Sequence, residues 1–149
     1  MKTYQPKHKD IKRDWQLIDV KDQILGRIST QIALHLTGKH KVNYSQHMDM
    51  GDYVVVVNAQ EVKLSGKKVK QKVYRRHSGY PGGFREIKFE KMLKEQPEEV
   101  IRLAVKRMLA PNRLRDKRLK RLKIFADDKH PYKNKFQISS TKSQTNSKA

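Results

Sequence analysis

The chain has 149 residues, with 35 Lys and Arg against 15 Asp and Glu, and its formal charge is +20. It has no cysteine, which excludes disulfides, Cys–zinc sites and thiol catalysis. No stretch approaches the roughly 18 consecutive apolar residues of a membrane span, and residues 1–14 lack the apolar core of a signal peptide. These features predict one compact domain in the cytoplasm. The self-repulsion of so much positive charge favours a polyanionic partner, nucleic acid before an acidic membrane surface.

The first part of the chain predicts a βαβ unit. Residues 1–14 are polar and charged and are interpreted as an extended arm, and residues 15–20 form a credible first strand. Residues 22–37 place apolar side chains at helical spacing, and Gly38 stands where a left-handed C-terminal cap belongs. Tyr53 and the four valines after it favour a strand that is buried on both faces, as in the middle of a parallel sheet.

The second part is more basic and less regular. Residues 61–64 and 72–77 are predicted as short strands, and residues 87–94 as the beginning of a short helix. Residues 97–109 have the clearest helical period in the sequence, with proline at the first helical position. Seven basic residues follow within residues 112–123.

The end of the chain predicts a last strand and a tail. The strand is placed at residues 124–126, with Leu122 as a further candidate. Residues 138–149 are rich in Ser, Thr, Lys and Gln and are predicted to be disordered. No internal repeat or long linker divides the sequence, so residues 15–137 are predicted to form a single α/β RNA-binding domain.

Two stretches invite comparison with cofactor or metal sites. Residues 79–83 read Gly-Tyr-Pro-Gly-Gly, which is neither Gly-x-Gly-x-x-Gly nor a Walker A loop. We interpret these glycines as permitting close approach to a sugar-phosphate chain. His47, Asp49 and Asp52 offer ligand types that suit zinc or manganese, but both carboxylates also stand at ordinary turn positions. We therefore predict no metal, no cofactor, no catalytic residue and no small-molecule substrate.

The basic residues form groups that contain only one acid, Asp116, whereas a solvated face usually mixes both signs. This pattern predicts nucleic-acid binding. Aromatic residues beside these groups could stack on bases or pack in the core. The predicted RNA-binding residues are Lys39, His40, Lys41, Lys67, Lys68, Lys70, Lys72, Arg75, Arg76, His77, Tyr80, Gly82, Gly83, Arg85, Lys106, Arg107, Arg113, Arg115, Lys117, Arg118, Lys120, Arg121 and His130.

The sequence resembles the bacterial large-subunit ribosomal protein thirteen family over roughly residues 15–130. The matching stretches are Leu25-Gly26-Arg27, Gly38-Lys39-His40-Lys41, residues 49–59, Gly66-Lys67-Lys68, residues 74–83, residues 105–109, residues 122–125 and His130-Pro131. Their order and number make chance agreement very improbable. Arg107, Ala110 and Arg115 depart from the family pattern, which leaves open the path between the last two helices.

The resemblance implies a three-layer α/β/α fold around a four-stranded, mostly parallel sheet. It also implies a structural role in the large ribosomal subunit, with binding to large-subunit ribosomal RNA early in assembly, beside neighbouring ribosomal proteins, and no enzyme activity or cofactor. The alternatives are an RNA-modifying or RNA-cleaving enzyme and a free-standing RNA chaperone. An enzyme would need convergent acid–base groups, and the sequence offers none.

Overall fold

The computed structural model describes residues 5–136, and its centre is a three-stranded parallel sheet in the order β1-β2-β5. The strands are β1 (Trp15–Asp19), β2 (Tyr53–Val57) and β5 (Leu122–Ile124). β2 lies between the other two, and its four valines are at most 2% exposed. The prediction of a strand that is buried on both faces is confirmed.

Two amphipathic helices supply a large part of the core. They are α1 (Leu25–Thr37), which follows β1, and α4 (Pro97–Met108), which packs against α1. Their buried apolar residues meet Val54 and Val56 of β2 in a single cluster. Gly38 ends α1 at φ 81°, and its N–H donates to the carbonyls of Leu34 and His35, as the cap prediction requires. The helix begins later than predicted because Asp22 adopts a left-handed turn at φ 58°.

The hairpin that follows corrects one part of the prediction. After α2 (Lys68–Gln71), strands β3 (Val73–His77) and β4 (Phe84–Lys88) pair antiparallel and lead into α3 (Phe89–Glu95). The predicted helix start at residue 87 is therefore wrong. All five residues of β4 are exposed, so the strand carries no buried, alternating apolar face that a sequence pattern could reveal.

The described residues form a three-stranded parallel sheet and a separate two-stranded antiparallel sheet, not one four-stranded sheet. The predicted strand at residues 61–64 contributes only an isolated parallel bridge between Ile24 and Lys63. Just before it, the Ala59 and Gln60 amides donate to the carbonyls of Phe125 and Ala126, in a short 3-10 turn. No helix within residues 5–136 is long and apolar enough to cross a bilayer.

The segment after β5 returns to the start of the sheet. α5 (Leu114–Lys120) precedes β5 and contacts α1 and α4. Beyond β5, the Tyr132 ring stacks on Trp15 of β1 at 5.1 Å, and Trp15 stacks on Tyr53 of β2 at 4.5 Å. These contacts hold the segment after β5 against the beginning of β1 and β2. The predicted disordered tail, residues 138–149, lies outside the described residues.

Candidate nucleic-acid interface

The predicted RNA-binding residues occupy three environments. Most are exposed: Lys39, His40, Lys67, Lys68, Lys70, Arg75, Arg76, His77, Tyr80, Gly82, Arg85, Lys106, Arg107, Arg113, Lys117 and Lys120. A smaller set is half-buried: Lys41, Lys72, Gly83, Arg115 and His130. Two arginines are buried, Arg118 at 3% and Arg121 at 7% exposure. The basic stretches therefore contain cations with very different access to a partner.

The β3–β4 hairpin carries one compensated and one uncompensated pair of charges. On one face, Arg75 donates from Nε to the Glu86 carboxylate at 2.7 Å. On the other face, Arg76 lies directly across from Arg85, and neither forms an ion pair with a described residue. Like charges at directly opposed positions destabilise a strand pair. An anion bound between the two guanidinium groups would remove that repulsion.

The turn of the hairpin leaves room for such an anion. Gly82 adopts φ 73°, and a Cβ added to Gly83 would lie 1.9 Å from Ser78 Oγ, so both positions require glycine. Arg76 and Arg85 line an open cavity of about 250 Å³ together with these turn residues. Close approach of a sugar-phosphate backbone needs this combination of positive charge and uncovered main chain.

Two rings at the end of the hairpin stand clear of the protein. Tyr80 in the turn is 76% exposed, and Phe84 at the start of β4 is 55% exposed. Exposed aromatic faces beside a basic surface suit stacking on unpaired bases. For Tyr80 the structure excludes the alternative of core packing, whereas Tyr74 is 8% exposed and belongs to the core cluster.

The two buried arginines converge on Asp49. Arg121 binds the Asp49 carboxylate with two nitrogens, one of them at 2.6 Å, and also donates to the carbonyls of Leu36 and Asp52 at 3.1 and 3.3 Å. Arg118 Nε lies 3.6 Å from the same carboxylate. α5 is thereby fixed to the end of α1 and to the loop before β2.

Asp52 forms the second half of this network and is fully buried. Its Oδ1 accepts hydrogen bonds from Lys41 Nζ and, at 3.0 Å, from the Asp14 amide, while His40 Nε2 lies 2.9 Å from Oδ2. Lys41 also donates to the Lys12 carbonyl at 2.6 Å. Together with Asp49, Arg118 and Arg121, these residues form what we call the aspartate network. Its cations neutralise the buried Asp52 carboxylate and the partly buried Asp49 carboxylate.

The same geometry bears on the candidate metal ligands. Asp49 and Asp52 bind cationic side chains, and His47 Nδ1 lies 2.8 Å from Ser45 Oγ. His35, His40 and Asp52 do have ligand atoms within 4.8 Å of one another. Burial, together with the nearby His40, lowers the pKa of His35, which favours its neutral form. The Lys41 ammonium on Asp52 opposes a further cation there, so we assign this group no metal.

Three other predicted residues, Lys106, Lys120 and His130, lie in less positive surroundings than the hairpin. Lys106 and Lys120 line an open groove between α4 and α5, together with the acids Glu98, Glu99 and Asp116. The His130 ring packs 5.6 Å from Phe136, and its Nδ1 accepts the Tyr132 amide at 3.2 Å. The groove therefore mixes both signs of charge, and His130 packs against an aromatic ring, whereas the hairpin face carries only positive charge.

Sequence reasoning missed the role of the two aspartates. A clue was available, since Asp49 and Asp52 are the only acids between residues 23 and 60 in a strongly basic chain. Gly51 between them was a second clue. A Cβ added to Gly51 would lie 1.8 Å from the Leu36 carbonyl oxygen, because the loop packs directly on the end of α1.

Comparison with known proteins identifies the family. The family model described as ribosomal protein L13 matches residues 13–131. The chain belongs to the ribosomal protein L13 family. This membership confirms the resemblance drawn from the motifs and the prediction of a ribosomal protein that is not an enzyme. The L13 match includes the hairpin and the aspartate network, and it stops before residues 138–149.

Curated relatives agree with the L13 assignment over most of their length. Each is named large ribosomal subunit protein uL13. The protein from Hahella chejuensis is 50% identical over 132 residues, covering 89% of this chain and 93% of the relative. The Thermotoga maritima protein is 52% identical over 131 residues, covering 88% of each chain. The Chloroflexus aggregans protein is 49% identical over 132 residues, covering 89% of this chain and 92% of the relative.

Proposed function

We propose that this protein is a structural constituent of the large ribosomal subunit in the cytoplasm, where it binds large-subunit ribosomal RNA and supports early assembly. The observation that carries the RNA-binding part is the uncompensated Arg76–Arg85 pair beside a glycine-lined cavity. The L13 family and the names of its members support placement in the large subunit. Neighbouring large-subunit proteins are its further partners.

The predicted RNA-binding residues divide into two roles under this proposal. The exposed cations and Tyr80 contact phosphates and bases directly. Arg118 and Arg121 act indirectly, because their contacts with Asp49 hold α5 in place. The exposed Lys117 and Lys120 are thereby kept on the surface of α5. Direct contact of the two buried arginines with RNA stays a prediction of the sequence.

We propose the domain plan that the sequence predicts, with residues 15–137 as the RNA-binding domain and residues 1–14 as an arm. The predicted tail, residues 138–149, lies outside the described residues. The four-stranded, three-layer arrangement belongs to this proposal as well, with the segment around Lys63, within the predicted strand at residues 61–64, as the additional strand. The Ile24–Lys63 bridge supports that strand, as does the 2.9 Å hydrogen bond from the Leu25 amide to the Lys63 carbonyl.

The experiment that tests the function is sedimentation of the tagged full-length chain in a sucrose gradient of a cell lysate. A structural constituent migrates with large subunits and stays with them after a high-salt wash. Early assembly further requires that it is present in precursor particles. A free RNA chaperone would spread through the gradient and leave in the wash, and either result would overturn the proposal.

A matched pair of variants makes the gradient specific for the hairpin. Arg76→Gln with Arg85→Gln removes the uncompensated pair, whereas the control, Lys91→Gln with Arg102→Gln, removes two exposed charges that are paired with Glu95 and Glu99. We expect the hairpin variant to incorporate poorly and the control nearly normally. Equal incorporation would remove the hairpin face from the interface.

A further inference from the structure

A second concentration of positive charge lies in a cleft between the start of α1, α2, β3 and α4. The cleft has a volume of about 490 Å³ and is lined by Arg27, Lys68, Lys72 and Arg107. No acidic side chain of the described chain lines it, and none of the four cations forms an ion pair with a described residue. Arg27 lies in the Leu25-Gly26-Arg27 motif, to which RNA binding at the hairpin gives no role.

The N-terminus of α1 opens into this cleft. The residue before the helix, Ile24, provides no side-chain cap. The Leu25 amide donates to the Lys63 carbonyl at 2.9 Å, and the Ile28 amide donates to the Ile24 carbonyl at 3.2 Å. The first turn of a helix leaves its other amides without intrahelical acceptors, so those of Gly26 and Arg27 remain available. Free amides at the positive end of a helix dipole favour an oxyanion.

A buried hydroxyl on the cleft wall points to the same kind of ligand. Tyr74 of β3 is 8% exposed, and its hydroxyl has no hydrogen-bond partner within residues 5–136. Burial raises the pKa of Tyr74, and the charge of Arg107, which lines the same cleft, acts against that rise. The phenol stays protonated and can donate. An unpartnered buried donor calls for an acceptor.

The cations themselves repel one another. Lys72 Nζ lies 5.4 Å from the centre of the Tyr74 ring. Burial lowers the pKa of Lys72, and the positive charges of Arg107 and Lys68 lower it further. A bound anion would oppose the effects of Arg107 and Lys68 on the Lys72 ammonium.

We propose that this cleft holds one phosphate group, with the Gly26 and Arg27 amides, the Arg27 and Arg107 guanidiniums, Lys72 and the Tyr74 hydroxyl as its donors. The donor set is positive, contains no competing acid and includes main-chain amides, which is the combination that binds phosphate. The inference rests on the proposed function, because the phosphate is taken to be a phosphodiester of large-subunit ribosomal RNA. Free phosphate shares this chemistry and is distinguished by the experiment.

The first arm of the experiment titrates ¹⁵N-labelled full-length protein with inorganic phosphate and, separately, with large-subunit RNA fragments. The Gly26 and Arg27 amide resonances report on the cleft directly. We expect both to shift with phosphate at millimolar concentration and with RNA at much lower concentration. Absence of a shift with RNA overturns the inference.

The second arm measures RNA affinity of two cleft variants by filter binding. Arg27→Gln should weaken binding about tenfold, as expected for loss of one charge-assisted contact. Gly26→Asp should weaken it at least as much by placing a carboxylate among the donors. A Cβ at Gly26 meets nothing within 4 Å, and an acid in the first turn favours the helix, so this variant should fold normally.

Arg102→Gln is the control, because Arg102 lies on α4 outside the cleft and pairs with Glu99 at 3.6 Å. It changes net charge by the same amount as Arg27→Gln, yet should leave RNA affinity nearly unchanged. If all three variants bind RNA as the parent does, the cleft holds no RNA phosphate, even where free phosphate shifts the amides. If the parent itself binds no ribosomal RNA, the proposed function fails rather than the cleft alone.

Discussion

The aspartate network and the β3–β4 hairpin use the same kinds of side chain in opposite ways. In the network, Arg121 binds the partly buried Asp49 carboxylate and Lys41 binds the fully buried Asp52 carboxylate. In the hairpin, Arg76 and Arg85 are exposed and lie across from each other with no described acid to neutralise them. The first arrangement holds loops and helices together. The second remains electrostatically incomplete until an anion arrives.

This difference separates two consequences of a basic sequence. A buried arginine contributes to the fold, and its charge is already compensated before any partner binds. An exposed arginine pair contributes little to the fold and retains its charge for a phosphate. Variants in the two regions should therefore divide between those that lower stability and those that lower RNA affinity.

Asp49→Asn should have the largest effect, and on stability. Arg118 and Arg121 would remain buried without their carboxylate, and breaking one partner of a buried ion pair costs about 3–5 kcal/mol. Urea unfolding of the free protein measures the loss. Glu99→Gln, which breaks the more exposed pair with Arg102, is the control and should cost less than about 1 kcal/mol. Equal losses would show that the network is not structurally special.

Arg76→Gln with Arg85→Gln should have the opposite profile. We expect RNA affinity to fall by about one to two orders of magnitude, since two charge-assisted contacts are lost. The free energy of unfolding should change by no more than about 0.5 kcal/mol, because both side chains are exposed. Filter binding and urea unfolding on the same preparation check both parts. A large stability loss with unchanged affinity would reverse the assignment of the hairpin.

Sequence reasoning could find the valine strand, the α1 cap and α4 because each has a strong local cause. Val54 to Val57 favour a buried strand, Gly38 supplies a left-handed cap, and Pro97 suits the first turn of a helix. β4 escaped prediction because all of its residues are exposed. Its pairing with β3 is fixed by the turn and the partner strand, not by burial.

The excess of positive charge made the candidate interface predictable from the sequence. Which basic residues are buried in the fold and which are exposed to a partner was not predictable. Arg118 and Lys117 are adjacent and chemically similar, yet one is buried beside Asp49 and the other is exposed. That division depends on Asp49 and Arg121 meeting across 72 positions of sequence. A local pattern carries no information about such a contact. Arg27 was missed for the same reason, because its cleft is completed by α2, β3 and α4.

The salt dependence of RNA binding should sharpen the comparison further. For single-stranded RNA, the slope of log K against log salt is about −0.7 per neutralised phosphate. The Arg76→Gln, Arg85→Gln variant should therefore flatten the slope by up to about 1.4. The control is Lys41→Met with Asp52→Asn, which removes two charges that already neutralise each other and should leave the slope unchanged.

A flatter slope in this control variant would mean that Lys41 does neutralise a phosphate. A nearly flat slope in the parent would contradict phosphate neutralisation as the source of affinity.

The smallest effect should appear in the pH dependence of stability, at His35. Burial lowers its pKa below the ordinary value near 6.5, with a further contribution from His40 and an opposing one from Asp52. The unfolded chain therefore binds more protons at this site, and the free energy of unfolding should fall as the pH drops below about 6.5. The loss should level off below the folded-state pKa.

His35→Gln isolates this contribution, because glutamine retains polarity but does not titrate. Urea unfolding between about pH 5.5 and 7.5 stays above the ordinary carboxyl range and so avoids most carboxylate titration. The variant should lose part of the decline in stability toward low pH, whereas His77→Gln, at an exposed position on the hairpin, should retain it. If the parent and His35→Gln declined equally, the pH dependence would arise elsewhere. A decline abolished by His77→Gln would instead locate the pH-dependent contribution to stability in the hairpin.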